Sequence, residues 1–170
     1  MNEALFNIRP IEIDDGRYIY DWKKNQDVFK YLGGGYNPQS LSEINSLMPQ
    51  LSKQTSSNRR FIIVSCKENE PIGLIGLYNI NVIHRTSEIG IYIGNKKFQG
   101  RGAATAAVRL VEEYAKNYLN LRKIILSVVS ENQAAIKFWE KHDYVKVGIL
   151  SQERYIDGKY CDLQIREKFL

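Results

Sequence analysis

Cysteine is scarce in this chain: Cys66 and Cys161 are the only two among 170 residues. Both fall in strand-like segments without metal-ligand spacing, which sets aside a zinc scaffold and a disulfide framework. Two isolated, buried or half-buried thiols suit a reducing cytoplasm, the expected location. Long apolar runs are missing too, and none approaches the length that spans a bilayer. The first residues lack the basic-then-apolar order of a secretory leader, so no membrane partner is expected. Neither a Gly-x-x-x-x-Gly-Lys-Ser/Thr loop nor a Gly-x-Gly-x-x-Gly fingerprint occurs. The pI is about 9.1, yet no zinc-finger, RRM or helix-turn-helix signature accompanies it, so nucleic acid is not the expected partner. No internal repeat, linker or low-complexity tract divides the chain, and residues 1–170 read as one domain.

What is present is an ordinary globular composition, 44% hydrophobic and 25% charged, with length enough for a real core. The apolar pattern alternates between strand and helix. Residues 5–11 predict a first strand ending near Arg9-Pro10. Asp14-Asp15 opens a helix carrying Tyr18, Trp22, Val28 and Phe29, which Gly33-Gly34-Gly35 breaks. Ser40 or Ser42 caps a second helix, with Leu41, Ile44, Leu47, Met48 and Leu51 at helical spacing. Residues 60–66 and 72–82 form a hairpin across Lys67-Glu68-Asn69-Glu70. A strand at 87–93, a helix after it, a buried strand at 123–129 and a helix at 132–142 follow. Residues 144–155 and 159–169 close the chain as a hairpin turning on Asp157-Gly158 in the type I′ style. The order β-α-α-β-β-β-α-β-α-β-β predicts an α/β domain with a mixed sheet.

The most informative stretch joins the 87–93 strand to its helix. It reads Phe98-Gln99-Gly100-Arg101-Gly102-Ala103-Ala104 and then runs on as an amphipathic helix. Strand, glycine turn and helix make a phosphate site, because glycine lets backbone approach a ligand and free N–H groups face it at the positive end of the helix. A bare Gly-x-Gly is often only a tight connection, but the charge pattern adds independent support. Arg85, Lys96, Lys97, Arg101, Arg109, Lys116, Arg122 and Lys123 stand against Glu88, Glu112 and Glu113, so this segment alone carries the chain's formal +5. A basic collar around one turn suits a small polyanionic ligand.

These residues resemble the acetyl-CoA loop of the GNAT N-acetyltransferase family, Gln/Arg-x-x-Gly-x-Gly/Ala, at each specified position. A second run, Asn132 to Tyr144, is similar to that family's Asn-x-x-Ala-x-x-x-Tyr-x-Lys-x-Gly-Phe. Asn132, Ala135 and Lys141 match, while Trp139, Asp143 and Tyr144 replace Tyr, Gly and Phe. In the first half, Ile8-Arg9-Pro10, Trp22-Lys23-Lys24-Asn25 and Arg60-Phe61 resemble the branch of ribosomal-protein N-terminal and spermidine/spermine N-acetyltransferases. Asn81, His84-Arg85, Glu88 and the hairpin from Tyr155 to Tyr160 are most similar to the spermidine enzymes. Those enzymes carry acids between the first two helices, where this chain has Gly33-Gly34-Gly35-Tyr36-Asn37-Pro38 and no acid until Glu43.

The resemblance implies a mostly antiparallel sheet, splayed at its central parallel strands and flanked by about four helices. It also implies transfer of acetyl from acetyl-CoA, without a metal, directly to a primary amine of a small molecule or peptide; a homodimer is consistent with it. Gln99, Gly100, Arg101, Gly102, Ala103 and Ala104 would bind the pyrophosphate. Ile91, Tyr92 and Ile93 would pair with the pantetheine like an added strand. Asn132 would cap its helix and contact the same arm. An amine arrives protonated, so a base helps; Glu88 is the candidate, with a salt-bridge or substrate-anchoring role as its alternative and His84 as second candidate. Tyr36, Tyr155 and Tyr160 could line the amine pocket or simply pack. Trp139 stands where the family often has a tyrosine acid. Either another group such as Tyr92 or Tyr144 protonates the sulfur or no acid is needed, the indole filling the core. A non-catalytic acetyl-CoA sensor or scaffold is the alternative function.

Overall fold

The computed structural model describes residues 5–170. Seven strands form one sheet in the order β1-β2-β3-β4-β5-β7-β6. They are β1 (Phe6–Pro10), β2 (Arg59–Ser65), β3 (Glu70–Asn81), β4 (Thr86–Ile93), β5 (Lys123–Val129), β6 (Val145–Ile156) and β7 (Lys159–Phe169). Every neighbouring pair is antiparallel except β4 and β5. That parallel pair is short: Thr86 faces Lys123, Ser87 faces Ile124, Glu88 faces Ile125, and there the ladder ends. From Ile89 to Ile93 the β5 side of β4 has no strand partner, which opens the middle of the sheet.

Five α-helices cover the two faces: α1 (Gly16–Lys23), α2 (Gln26–Phe29), α3 (Leu41–Leu51), α4 (Ala103–Asn117) and α5 (Gln133–Lys141). The sequence reading has four, because it runs α1 and α2 together. The break falls at Asn25, whose backbone turns extended (φ −95°, ψ 100°) and whose side chain accepts from the Asp27 N–H to start α2 afresh. Ser40, not Ser42, caps α3, exchanging bonds with Glu43 in a capping box.

The pleat sorts β4 between two cores. Ile89, Ile91 and Ile93 pack with α4 and α5, against Ala103, Ala107, Val108, Val111, Ile136 and Trp139. Tyr92, one residue out of phase, packs on the other face with Trp22, Phe29, Ile44, Met48, Ile62 and Leu74. The alanines let α4 lie close to the sheet, and burial of these apolar side chains is the main stabilising term. Arg9 on β1 ties this second layer down, donating twice to the buried Asp15 carboxylate at 2.7 Å. That carboxylate holds the guanidinium pKa above its ordinary value.

Candidate active site

The turn before α4 forms as its sequence requires. Gly100 and Gly102 have φ of +71° and +86°, a region that side chains with a Cβ rarely enter. A Cβ at either position would meet nothing within 4 Å, so both backbones face open space. Gly102 caps α4 without a side-chain bond. The N–H groups of Ala103, Ala104 and Thr105 therefore find no acceptor among the described residues. A pyrophosphate fits this cradle: it needs close backbone, unpaired donors and a positive helix end, and all three converge here. Arg101 is exposed beside it, and the Gln99 amide donates to the Ile93 carbonyl at 3.0 Å, holding the turn to the end of β4.

From that turn a cleft of about 440 Å³ runs into the gap between β4 and β5. Ile91, Tyr92, Ile93, Gln99, Ala104, Asn132 and Trp139 line it, seven of the eleven residues expected to hold the cofactor, while Gly100, Arg101, Gly102 and Ala103 lie in the turn and not in the cleft lining. Asn132 accepts from the Ala135 N–H at 3.2 Å and so caps α5 at the cleft wall. Trp139 is buried edge-on between Phe138 and Tyr144, with centroids 5.0 and 4.9 Å away. The Tyr144 hydroxyl is committed elsewhere, donating to Glu112 at 2.9 Å on α4, with its pKa pushed up by burial and that carboxylate. Tyr92 and Tyr31 are the tyrosines that line the cleft, and burial raises the Tyr92 pKa.

A second cleft of about 470 Å³ opens on the opposite side of the same gap. Tyr31, Leu32, Ile89, Gly90, Ile91, Tyr92 and Ser127 line both, so the two meet at the splayed strands. Glu88 lies in the second cleft, at the last parallel pair, where it faces Ile125. The Asn79 amide donates to it at 2.9 Å, from a bulge in β3 where Asn79 takes a φ of +51°. Tyr78 lines the cleft as well, and its ring lies over paired Gly76 and Gly90. A Cβ on Gly76 would come within 2.7 Å of the Tyr78 ring, so only glycine admits it. Burial raises the Tyr78 pKa despite Arg60 nearby.

Three residues proposed for the acceptor lie apart from both clefts. Tyr36 is exposed after the glycine tract. Tyr155 packs at a tilt against Tyr160 at the hairpin tip, and His84 sits exposed in the β3–β4 turn, where its carbonyl accepts from Arg122. Sequence reasoning missed Tyr78, Asn79, Ser127 and Arg154. The glycines at 73 and 76 in an apolar strand were a signal for Tyr78, since strand glycine marks a close approach. Nothing local marked the others.

The sequence matches the acetyltransferase (GNAT) domain family over residues 6–145. It is 32% identical over 166 residues to the spermidine N(1)-acetyltransferase of Vibrio cholerae, covering 96% of this chain and 92% of that one. It is 35% identical over 154 residues to the Escherichia coli K12 spermidine N(1)-acetyltransferase, with 90% and 80% covered. A putative ribosomal N-acetyltransferase of Bacillus subtilis is 25% identical over 166 residues, covering 96% and 90%. The Vibrio cholerae spermidine N-acetyltransferase crystallised with CoA and spermine superposes with a TM-score of 0.87 at 30% identity, over 98% of this chain and 96% of that one. With the phosphate turn, the splayed strands and the capped α5 in place, the chain belongs to the GNAT family and is an acetyl-CoA-dependent N-acetyltransferase acting on a primary amine.

Proposed function

We propose that the second cleft receives a small primary amine and that Glu88 takes its proton as the nitrogen attacks the thioester held between β4 and β5. The observation that carries this reading is the meeting of two clefts from opposite sides of one gap, with the only lining acid of the second, Glu88, next in sequence to the Ile89 to Tyr92 stretch that lines both. The amine nitrogen bonds to the acetyl carbon, the carbon–sulfur bond breaks with its electrons on sulfur, and the proton passes to Glu88 directly or through water. Backbone donors of the turn and the free edge of β4 fix the donor, while Tyr78 and Tyr31 shape the acceptor side. Direct transfer requires both partners bound together. Neither cysteine lines either cleft, and Ser127, which lines both, has no side-chain bond to a base among the described residues. Initial rates with both substrates varied should therefore give intersecting double-reciprocal lines. Parallel lines, the mark of an acetylated enzyme, would overturn the reading.

Trp139 lines the donor cleft but brings no hydroxyl to the sulfur. Coenzyme A thiolate, with a thiol pKa near ~8.5, leaves tolerably without an acid, and the amine at ~10.4 is the harder proton. Trp139→Tyr should therefore change kcat by no more than about threefold. The smaller ring leaves a void between Phe138 and Tyr144 and should cost about 1 kcal/mol or more, a melting point lower by roughly 2–4 °C. A kcat rise of about tenfold would show that proton delivery to sulfur is limiting.

We further propose that β6 mediates self-association. It ends the sheet, and Val145, Val147 and Ile149 are at least half exposed on it, an apolar edge that a second copy could cover. The Vibrio cholerae relative has a dodecameric structure. Light scattering after size exclusion should give a multiple of the 19.7 kDa chain, and Val147→Lys should lower that mass. A monomeric wild type would remove this proposal.

A further inference from the structure

Two arginines of the last hairpin are held in opposite ways. Arg166 on β7 is buried and fully engaged, donating to Glu140, Gln164 and the Tyr144 carbonyl. Arg154 on β6 lines the acceptor cleft with a single protein bond, from Nη1 to the Gly33 carbonyl at 2.6 Å. Its Nε is buried and unpaired, and Nη2 bonds to no described residue. No acid among the described residues forms an ion pair with it, not even Glu88 in the same cleft. Among the lining residues Glu88 is the one acid and Arg154 the one cation. The Gly33 contact also sets the guanidinium against a rim without side chains, since Gly33 and Gly34 form that wall.

We propose that Arg154 is a specificity-determining residue that binds a carboxylate on the acceptor, so that the enzyme favours amines carrying a carboxylate over polycations. This rests on the reading of the second cleft as the acceptor site with Glu88 facing the amine. A guanidinium with unused, coplanar N–H groups is suited to a carboxylate, which it binds with charge-assisted bonds. A second ammonium brought there meets a like charge in a part-buried cleft, a cost that excludes wrong partners. A zwitterionic acceptor satisfies both ends at once, with its amine at Glu88 and its carboxylate at Arg154. A polyamine satisfies only the first.

The test compares acceptors of equal length that differ in the charge of the far end: 4-aminobutanoate against butane-1,4-diamine, and 6-aminohexanoate against hexane-1,6-diamine, with spermidine alongside. The wild type should show kcat/KM at least about tenfold higher for the aminocarboxylate of a pair. Arg154→Glu should invert the preference, moving the ratio by about a hundredfold, one decade for each unit of charge changed. Arg154→Lys should keep its sign. Acetyl-CoA affinity, read on each variant, checks that the fold persists. If Arg154→Glu does not fold, Arg154→Gln should bring the ratio to within about threefold of unity. A wild type that prefers diamines or spermidine, turnover of neither series, or charge variants whose ratio stays within about twofold of wild type would overturn the proposal. Glu88→Gln keeps the two failures apart, because it should lower kcat for both members of a pair alike and leave the ratio alone. A Glu88→Gln enzyme with neither kcat nor amine KM changed removes the underlying site reading, whatever the ratio shows.

Discussion

Gly102→Asp should abolish acetyl-CoA binding, raising Kd by about a hundredfold or more. Two effects act together. The new Cβ and carboxylate project into the open side of the turn, where no protein atom lies within 4 Å and the pyrophosphate is expected to sit. A carboxylate there also repels the phosphates inside a cradle built from N–H donors. Gly102→Asn separates the two, since it is nearly the same size and uncharged. It should lose affinity through sterics alone and fall between wild type and Gly102→Asp. The φ of +86° strains either side chain by about 1–2 kcal/mol, so thermal melts must accompany the calorimetry. Asn and Asp tolerate this region better than other side chains, and both variants should remain folded. Unchanged affinity in folded Gly102→Asp would remove the turn from the donor site.

How much of this was legible in the chain follows from how local each feature is. The phosphate turn lies within six consecutive residues, and its glycines sit at the positive φ values that such a turn needs. Asn132 announces α5 because a cap is a contact between neighbours three apart. The hairpin at Asp157-Gly158 is equally local, both residues taking positive φ. The split of α1 from α2 was hidden because the apolar residues of both continue one helical rhythm across Lys24 and Asn25, and only the backbone at Asn25 departs from it. The slot itself depends on where β4 and β5 stop pairing, a property of two strands separated by a helix. Arg154 lay furthest from view. It meets Gly33 across 121 positions, a contact no local pattern marks. Tyr36, His84 and Tyr155 illustrate the converse: each was a candidate for the acceptor side, and the fold leaves each exposed and outside both clefts.

Glu88→Gln should lower kcat by roughly 10²–10⁴ while leaving acetyl-CoA affinity alone. The substitution is nearly isosteric and keeps the side-chain oxygen that accepts from Asn79, so the bulge in β3 that positions it is preserved. What it removes is the ability to take a proton. An amine with a pKa near ~10.4 is nucleophilic in only about one molecule in a thousand at neutral pH. The wild-type kcat/KM should therefore climb with pH as free amine becomes available. In Glu88→Gln the dependence should be steeper, since the enzyme must wait for amine that is already neutral. The competing role for Glu88 makes a different prediction. A carboxylate that only anchors the ammonium would, when neutralised, raise the amine KM and spare kcat. Rates measured across amine concentration and pH separate the two, because loss of a base appears in kcat and is partly restored by alkali, whereas loss of an anchor appears in KM. If neither parameter moves, Glu88 leaves the site, and Tyr78, a buried titratable group that lines that cleft and not the donor cleft, becomes the next residue to change.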